Sequence, residues 1–173
     1  VTGVQTCALP ICHLAYLLSR GVPPFLQGAT VEEVHLQAGH LGWKTDDLVL
    51  VGAGPRRRQA ALQVKSAFIF SADNKECQEV FAAAWADFNN AALFDRTRDG
   101  IAVICGPLPV ATQRRLRIVL DAARAALNAA DWLNRLTLPG YHEHGAALAA
   151  DALRALLTEA NGSAVTDQQL WEF

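Results

Sequence analysis

Residues 46–70, DDLVLVGAGPRRRQAALQVKSAFIF, place two apolar runs on either side of a polar break. The first run is Leu48 to Val51 and the second is Ala60 to Phe70. The break between them is rich in glycine, proline and arginine, which is the composition of a turn. The pattern therefore predicts two antiparallel strands joined by a hairpin.

Polar side chains interrupt this apolar background at Asp46, Asp47, Gln63 and Lys65. Because side chains alternate between the two faces of a strand, Gln63 and Lys65 share one face. With the turn centred on Pro55 or Arg56, Asp47 lies opposite Gln63 or Lys65 and on their face. A carboxylate, an amide oxygen and an ammonium group would then converge, which suits a hard cation and a phosphate ester.

The composition limits the class of protein. With 173 residues, 51% of them hydrophobic, the chain suits one globular domain with a substantial core. It has 15 basic and 17 acidic side chains, so contact with nucleic acid must come from a local patch. No apolar run approaches the length of a membrane span, which argues against membrane insertion.

The order aspartate, hairpin and Gln-Val-Lys resembles the core of PD-(D/E)XK nucleases, with Gln63 in place of the acidic residue. The wider sequence, VHLQAGHLGWKTDDLVL at residues 34–50 and LQVKSAF at residues 62–68, resembles the double-stranded DNA endonuclease domain of CBASS-type anti-phage effectors. Such domains also lie at the N-terminus of STAND-type NTPases. The resemblance, which covers residues 13–173, implies an α/β fold: a restriction-endonuclease-like mixed sheet with flanking helices, followed by a helical C-terminal part.

The same resemblance implies a metal-dependent endonuclease that cleaves double-stranded DNA with Mg²⁺, or with Mn²⁺ as an alternative. Glu32 and Asp47 would hold the metal, with the Gln63 amide oxygen and the Val64 carbonyl as neutral ligands. Lys65 would orient or polarise the attacking water. The predicted catalytic residues are therefore Asp47, Gln63 and Lys65, and the predicted metal ligands are Glu32, Asp47 and Gln63.

The strand predicted over Ala29 to Gln37 leaves a choice between two acidic residues. Its period places Glu32 and Glu33 on opposite faces, and the resemblance favours Glu32. The neighbours of Glu32 on its face are apolar, so its carboxylate is expected to be partly buried and to need a partner or a metal. Glu33 is the alternative and is expected to be solvated.

Three arginines, Arg56, Arg57 and Arg58, lie at the predicted turn. We expect them to contact DNA phosphates without reading the base sequence. The alternative is a turn whose arginines are simply solvated.

Two other readings of the chain stay open. Because Gln63 is neutral, the domain is alternatively an inactive nuclease fold that only binds nucleic acid or a partner; Asp46 and Asp47 would then merely begin a strand, and Lys65 would lie on an exposed edge. The other alternative is an oligomerisation module built on the alanine-rich helices within residues 110–160. The nuclease reading is compatible with a homo-oligomer and with a fused C-terminal NTPase or sensor module.

After the hairpin, Asp73 followed by Glu76 predicts the start of a helix that ends at Asn89. Apolar residues recur along it at helical spacing, and we expect its aromatic side to pack against a sheet. The continuous apolar run Gly100 to Cys105 predicts a strand covered on both faces. It should run parallel to the Gln-Val-Lys strand because a helix separates the two.

The remaining helices are predicted from their periodicity and their caps. Residues 13–20 form the end of a helix that stops before Gly21, Val110 to Leu136 forms one long helix, and Glu143 to Ala160 forms another. Within the long helix, Asp131 and Arg135 are expected to pair. At the C-terminus, Thr166 with Gln169 predicts a capping box that opens a short last helix.

The ends of the chain need separate interpretation. Residues 1–11, VTGVQTCALPI, are the codon-for-codon translation of a sequencing-library adapter, and we predict that they are an assembly artefact. Cys7 then leaves the cysteine count, and Cys77 and Cys105 provide no disulfide framework, which is typical of a reduced cytoplasmic protein. The predicted domains are a nuclease-like domain at 12–140 and a helical extension at 141–173 that is cut at its C-terminus.

Overall fold

The computed structural model describes residues 14–55, 57–141 and 144–173. It divides into two compact units: the described part of residues 1–67 together with Ala86–Gly106, and Phe68–Trp85 together with Pro107–Phe173. The fold is α/β, as predicted. The predicted adapter segment at residues 1–11 lies outside the described residues, and the predicted domain boundary at residue 140 stays a prediction.

Four strands in the described residues form one mixed sheet in the order β1-β2-β3-β4. They are β1 (Val31–Leu36), β2 (Leu48–Gly52), β3 (Gln59–Lys65) and β4 (Gly100–Cys105). The first three strands are antiparallel, and β4 lies parallel to β3. The predicted hairpin and the predicted parallel return strand are therefore confirmed.

The apolar core includes buried side chains from the two central strands, β2 and β3. Every residue of β2 is buried, and Leu50 and Leu62 have no exposed surface. These leucines cluster with Leu26 and Val31, and each buried leucine contributes about 1.5–3 kcal/mol. All six residues of β4 are only half-buried, so the expectation of a strand covered on both faces is wrong; β4 is an edge strand of the sheet.

Strand β1 contains an irregularity that breaks the predicted alternation. Val31 pairs with Gly52, but Glu33 pairs with Val51, so the register shifts and Glu32 is an extra residue in the strand. As a result, Val31 and Val34 join the same apolar cluster although they are three positions apart. Glu32 is exposed.

The helix after the hairpin is α1 (Lys75–Phe88). It is capped by Asn74, whose side-chain oxygen accepts the N–H of Cys77 at 2.9 Å, so the predicted start at Asp73 is wrong by one residue. The aromatic side chains of this helix contact Phe70, Phe94 and Phe173. The rings of Phe81 and Trp85 lie 6.3 and 5.5 Å from that of Phe173, a contact that the sequence did not predict.

The predicted long helix is two helices, α2 (Val110–Ala125) and α3 (Ala129–Thr137). The break occurs because the Asn128 side chain accepts the N–H of Asp131 and caps α3. The predicted pair between Asp131 and Arg135 is present at 3.1 Å. The pKa of the Asp131 carboxyl lies below its usual value, mainly because the Leu127 N–H donates to it. The Arg135 guanidinium lowers this pKa further.

The last helices are α4 (Ala146–Asn161) and α5 (Asp167–Glu172). Helix α4 begins three residues after the predicted start and ends one residue after the predicted end. It is capped by Gly162, whose φ of 69° lies in the left-handed region that glycine favours. The capping box that opens α5 is confirmed. In the described part of the chain, no helix combines the length and the apolar character that crossing a membrane requires.

Candidate active site

The three predicted catalytic residues lie at one end of the sheet. Leu48 pairs with Leu62, so Asp47, which directly precedes β2, comes opposite Gln63 on β3. Lys65 follows two positions later on the same strand and therefore on the same face. We call this end of the sheet, formed by Asp47, Gln63, Val64 and Lys65, the Asp47 end.

The Asp47 carboxylate binds the edge of β3 directly. Its Oδ2 atom accepts the backbone N–H of Val64 at 2.7 Å and a short hydrogen bond from the Gln63 side-chain amide. This edge is open because β2 begins only at Leu48. The carboxylate thus takes the place that a further residue of β2 would fill. Asp47, Gln63 and Lys65 are all half-buried.

Glu32 does not belong to this group. Leu36 pairs with Leu48, and the N–H of Gln37 donates to the Asp47 carbonyl, so Glu32 lies five residues from the position opposite Asp47. At about 3.3 Å per residue this separation is roughly 16 Å. The Glu32 side chain is 53% exposed, with its Oε2 atom 4.0 Å from Nε of Arg57. The prediction that Glu32 is partly buried is therefore wrong, because the bulge turns it out of the apolar face.

Glu33, the alternative, lies at the opposite end of the sheet, which we call the hairpin end and define by Glu32, Glu33 and Arg57. Its carboxylate binds His35 Nε2 at 2.9 Å and makes a short ion pair with the Arg57 guanidinium. The His35 hydrogen bond, helped by Arg57 and opposed by partial desolvation, lowers the pKa of the Glu33 carboxyl. Neither glutamate joins Asp47.

The predicted DNA-binding arginines have partners within the chain. Arg57 binds Glu33, while Arg58 donates to the Gln27 side chain and to the Arg98 carbonyl at 3.4 Å. Arg56 lies outside the described residues. Contact between Arg57 or Arg58 and DNA phosphates stays a prediction, and it requires these guanidinium groups to share or exchange their present partners.

One residue that the sequence analysis missed supports the Asp47 end. Asp87, in the last turn of α1, is 1% exposed. Its carboxylate accepts the N–H of Lys44 at 2.9 and 3.1 Å and the N–H of Thr45 at 2.6 Å, in the loop that leads to Asp47. The sequence could have indicated Asp87 by its position near the end of the predicted helix. A carboxylate at a helix C-terminus opposes the helix dipole and needs a partner.

The two cysteines that the structure describes, Cys77 and Cys105, are unsuited to nucleophilic chemistry. Cys77 is fully buried and Cys105 is half-buried in β4. Burial raises the pKa of both thiols, which disfavours the reactive thiolate.

Few side chains at the Asp47 end could serve as metal ligands. Across residues 14–55, 57–141 and 144–173, no three His, Cys, Asp or Glu side chains are grouped to hold a metal ion. The donors that do converge are one carboxylate, from Asp47, and the neutral Gln63 amide beside it.

Comparison of the sequence and the fold with protein-family models, curated proteins and solved structures finds no match. The function is therefore inferred from this geometry and from the resemblance of the motif.

Proposed function

We propose that this chain is a metal-dependent endonuclease of the PD-(D/E)XK type that cleaves double-stranded DNA as part of a bacterial anti-phage effector. The observation that carries the proposal is the direct apposition of Asp47 and Gln63, with Val64 N–H on the same carboxylate and Lys65 two residues later. A homo-oligomer and a fused NTPase or sensor module are the proposed context of the domain.

The donors at the Asp47 end fit a hard divalent cation. The N–H and C=O of one strand residue point to the same side, so the Val64 carbonyl opens toward Asp47 as its N–H does. Rotation of the Gln63 amide by half a turn exchanges its nitrogen for its oxygen. Asp47, Gln63 and Val64 would then supply three oxygen ligands, which Mg²⁺ prefers. When bound, Mg²⁺ acidifies the attacking water and stabilises charge on the phosphate.

The chain's own residues provide the rest of the proposed site. Lys65 lies on the face of Gln63 and supplies a positive charge that would hold a phosphate oxygen or orient the attacking water. Asp47 is fixed by a backbone N–H, so its carboxylate would need little reorganisation during the reaction. With a single carboxylate in the donor set, we expect weak Mg²⁺ binding.

The proposal is tested by Mg²⁺-dependent cleavage of supercoiled plasmid DNA. We expect Asp47→Ala and Lys65→Ala in the full chain to lower the cleavage rate by roughly 100-fold or more. Matched controls are Lys75→Ala, whose side chain is 88% exposed on α1, and Asp121→Ala, which is exposed on α2. Circular dichroism verifies that each variant is folded.

Two results would contradict the proposal. One is the absence of metal-dependent cleavage in the wild-type chain under conditions where it binds DNA. The other is equal cleavage by the wild type, Asp47→Ala and Lys65→Ala, which would place the activity elsewhere.

A second candidate function is a nuclease-fold module that binds DNA without cleaving it. It is favoured by the neutral Gln63, by the two hydrogen bonds that already occupy Oδ2 of Asp47, and by the position of Glu32 at the hairpin end. DNA binding in a gel-shift assay, with no cleavage in Mg²⁺ or Mn²⁺, would support this candidate over the enzyme.

A further inference from the structure

Asp87 occupies a position that is unfavourable for a carboxylate. It lies in the last turn of α1, where the helix dipole is negative, and only 1% of its surface is exposed. A buried charge destabilises a fold unless hydrogen bonds compensate for the lost water. The compensating donors around Asp87 therefore identify what the residue is holding.

Those donors belong to the loop that ends at Asp47. The Asp87 carboxylate accepts the backbone N–H groups of Lys44 and Thr45 over distances of 2.6–3.1 Å. Hydrogen bonds to a charged acceptor are shorter and stronger than those between neutral groups. The chain is thus fixed two residues before the Asp47 carboxylate.

The two residues that follow β1 hold the same loop. The N–H of Ala38 donates to the Asp46 carbonyl at 2.6 Å, and the N–H of Gln37 donates to the Asp47 carbonyl at 3.1 Å. Asp47 then reaches Val64 at 2.7 Å. With Asp87 as a further attachment, the segment that presents the Asp47 carboxylate has contacts to the residues after β1, to β3 and to α1.

We propose that Asp87 is a positioning residue that sets the Asp47 carboxylate against the edge of β3. Its effect on cleavage rests on the proposed function. Its effect on the hydrogen bond between Asp47 and Val64 is measurable in the protein without DNA or metal. The positioning role of Asp87 and the proposed nuclease function can therefore be refuted independently.

The test compares Asp87→Asn with Asp99→Asn. Asp99 is a matched control because its side chain is fully buried and also accepts two backbone N–H groups, those of Gln59 at 2.9 Å and Asp95 at 3.0 Å. It lies at the other end of β3. Both variants remove one charge, preserve side-chain size and should reduce global stability.

The first readout is amide hydrogen exchange of Val64, corrected for each variant's global unfolding free energy. We expect exchange to be at least about fivefold faster in Asp87→Asn than in Asp99→Asn, as loss of one hydrogen bond implies. Equal exchange in the two variants would overturn the proposal. If Asp87→Asn does not fold, Asp87→Glu, which retains the charge but moves it by one methylene, replaces it in the same comparison.

The second readout is the Mg²⁺ concentration that gives half-maximal plasmid cleavage. A displaced Asp47 should raise this concentration by about fivefold or more in Asp87→Asn and leave it unchanged in Asp99→Asn. A purely structural role would change neither variant's metal requirement. Absence of cleavage in the wild type would contradict the proposed function, and Val64 exchange alone would then decide the role of Asp87.

Discussion

At the Asp47 end of the sheet a half-buried carboxylate is held by a backbone N–H, whereas at the hairpin end the Glu33 carboxylate is held by two other side chains. Strand register fixes the position of the Val64 N–H. The guanidinium of Arg57 and the ring of His35 depend on rotamers, and the Glu33 side chain is 42% exposed to water. Surface pairs of that kind are weakened by side-chain entropy and by salt.

Under the proposed function, this difference favours Asp47 over Glu33 as the carboxylate that takes part in the reaction. A group that stabilises charge in a transition state must be held before the reaction begins. Asp47 satisfies this condition, because its support comes from β3 and its preceding loop is held by Asp87. Glu33 is better described as part of an adjustable surface network.

The largest effect that separates the two ends is expected from alanine substitution. Asp47→Ala leaves the Val64 N–H and the Gln63 amide without their acceptor, and we expect it to lower the free energy of unfolding by about 1–3 kcal/mol. Glu33→Ala should have a smaller effect, because its partners stay accessible to water. Urea denaturation of both variants measures the difference, and an equal or larger loss in Glu33→Ala would contradict the stronger support proposed for Asp47.

The sequence predicted the parts of the structure that depend on local pattern. Alternation and the position of the turn limited the partner of Asp47 to Gln63 or Lys65, and the register of the structure selects Gln63. A capping pair was sufficient to predict the start of α5 after Thr166. The parallel pairing of β4 with β3 followed from the helix between them. These features depend on residues that are close in sequence or on a general rule of chain connection.

The features that the sequence did not predict depend on distant contacts or small local choices. Asp87 and Lys44 are 43 positions apart, and no periodicity links them. The bulge at Glu32 shifts the register by one residue, which is enough to reverse a facing prediction. The break at Asn128 arises because a capping side chain competes with continuation of the helix.

Gln63→Glu tests the Asp47 end by adding a second carboxylate beside Asp47. Without metal, repulsion between the two charges should lower stability by about 1 kcal/mol. Millimolar Mg²⁺ should restore that stability, because binding to the folded state stabilises it. The measurement is the midpoint of thermal unfolding with Mg²⁺ and with EDTA.

Gln59→Glu is the control for this experiment, since Gln59 lies at the opposite end of β3 and is also half-buried. Its thermal midpoint should not respond to Mg²⁺. An equal Mg²⁺ response in the two variants would mean that the Asp47 end has no special affinity for the cation.

Thr45→Val tests the packing beneath the Asp47 end. The Thr45 side chain is 1% exposed, and within the described residues its hydroxyl has no hydrogen-bond partner. Valine has nearly the same shape and lacks the buried hydroxyl, so we expect stability to rise by up to about 1 kcal/mol. Thr97→Val should instead be neutral or destabilising, because the exposed Thr97 hydroxyl donates to Asp95 at 2.6 Å. A loss of stability in Thr45→Val would show that the hydroxyl has a partner, such as a buried water.

The smallest effect is the pH response of the hairpin end. Because the pKa of Glu33 is lowered in the folded chain, its ionised form stabilises the fold above the ordinary carboxyl pKa of 4.5. This contribution is lost as the pH falls below 4.5 and through the lower pKa of the folded state. His35 is the main cause of the shift, so His35→Ala should move the Glu33 pKa upward, and Arg57→Ala should move it less. Titration of the Glu33 carboxyl carbon by NMR measures both changes, and added salt should reduce the Arg57 contribution. A Glu33 pKa that is unchanged in both variants would mean that the side-chain network does not persist in solution, and the contrast with the backbone-held Asp47 would then be larger than the structure implies.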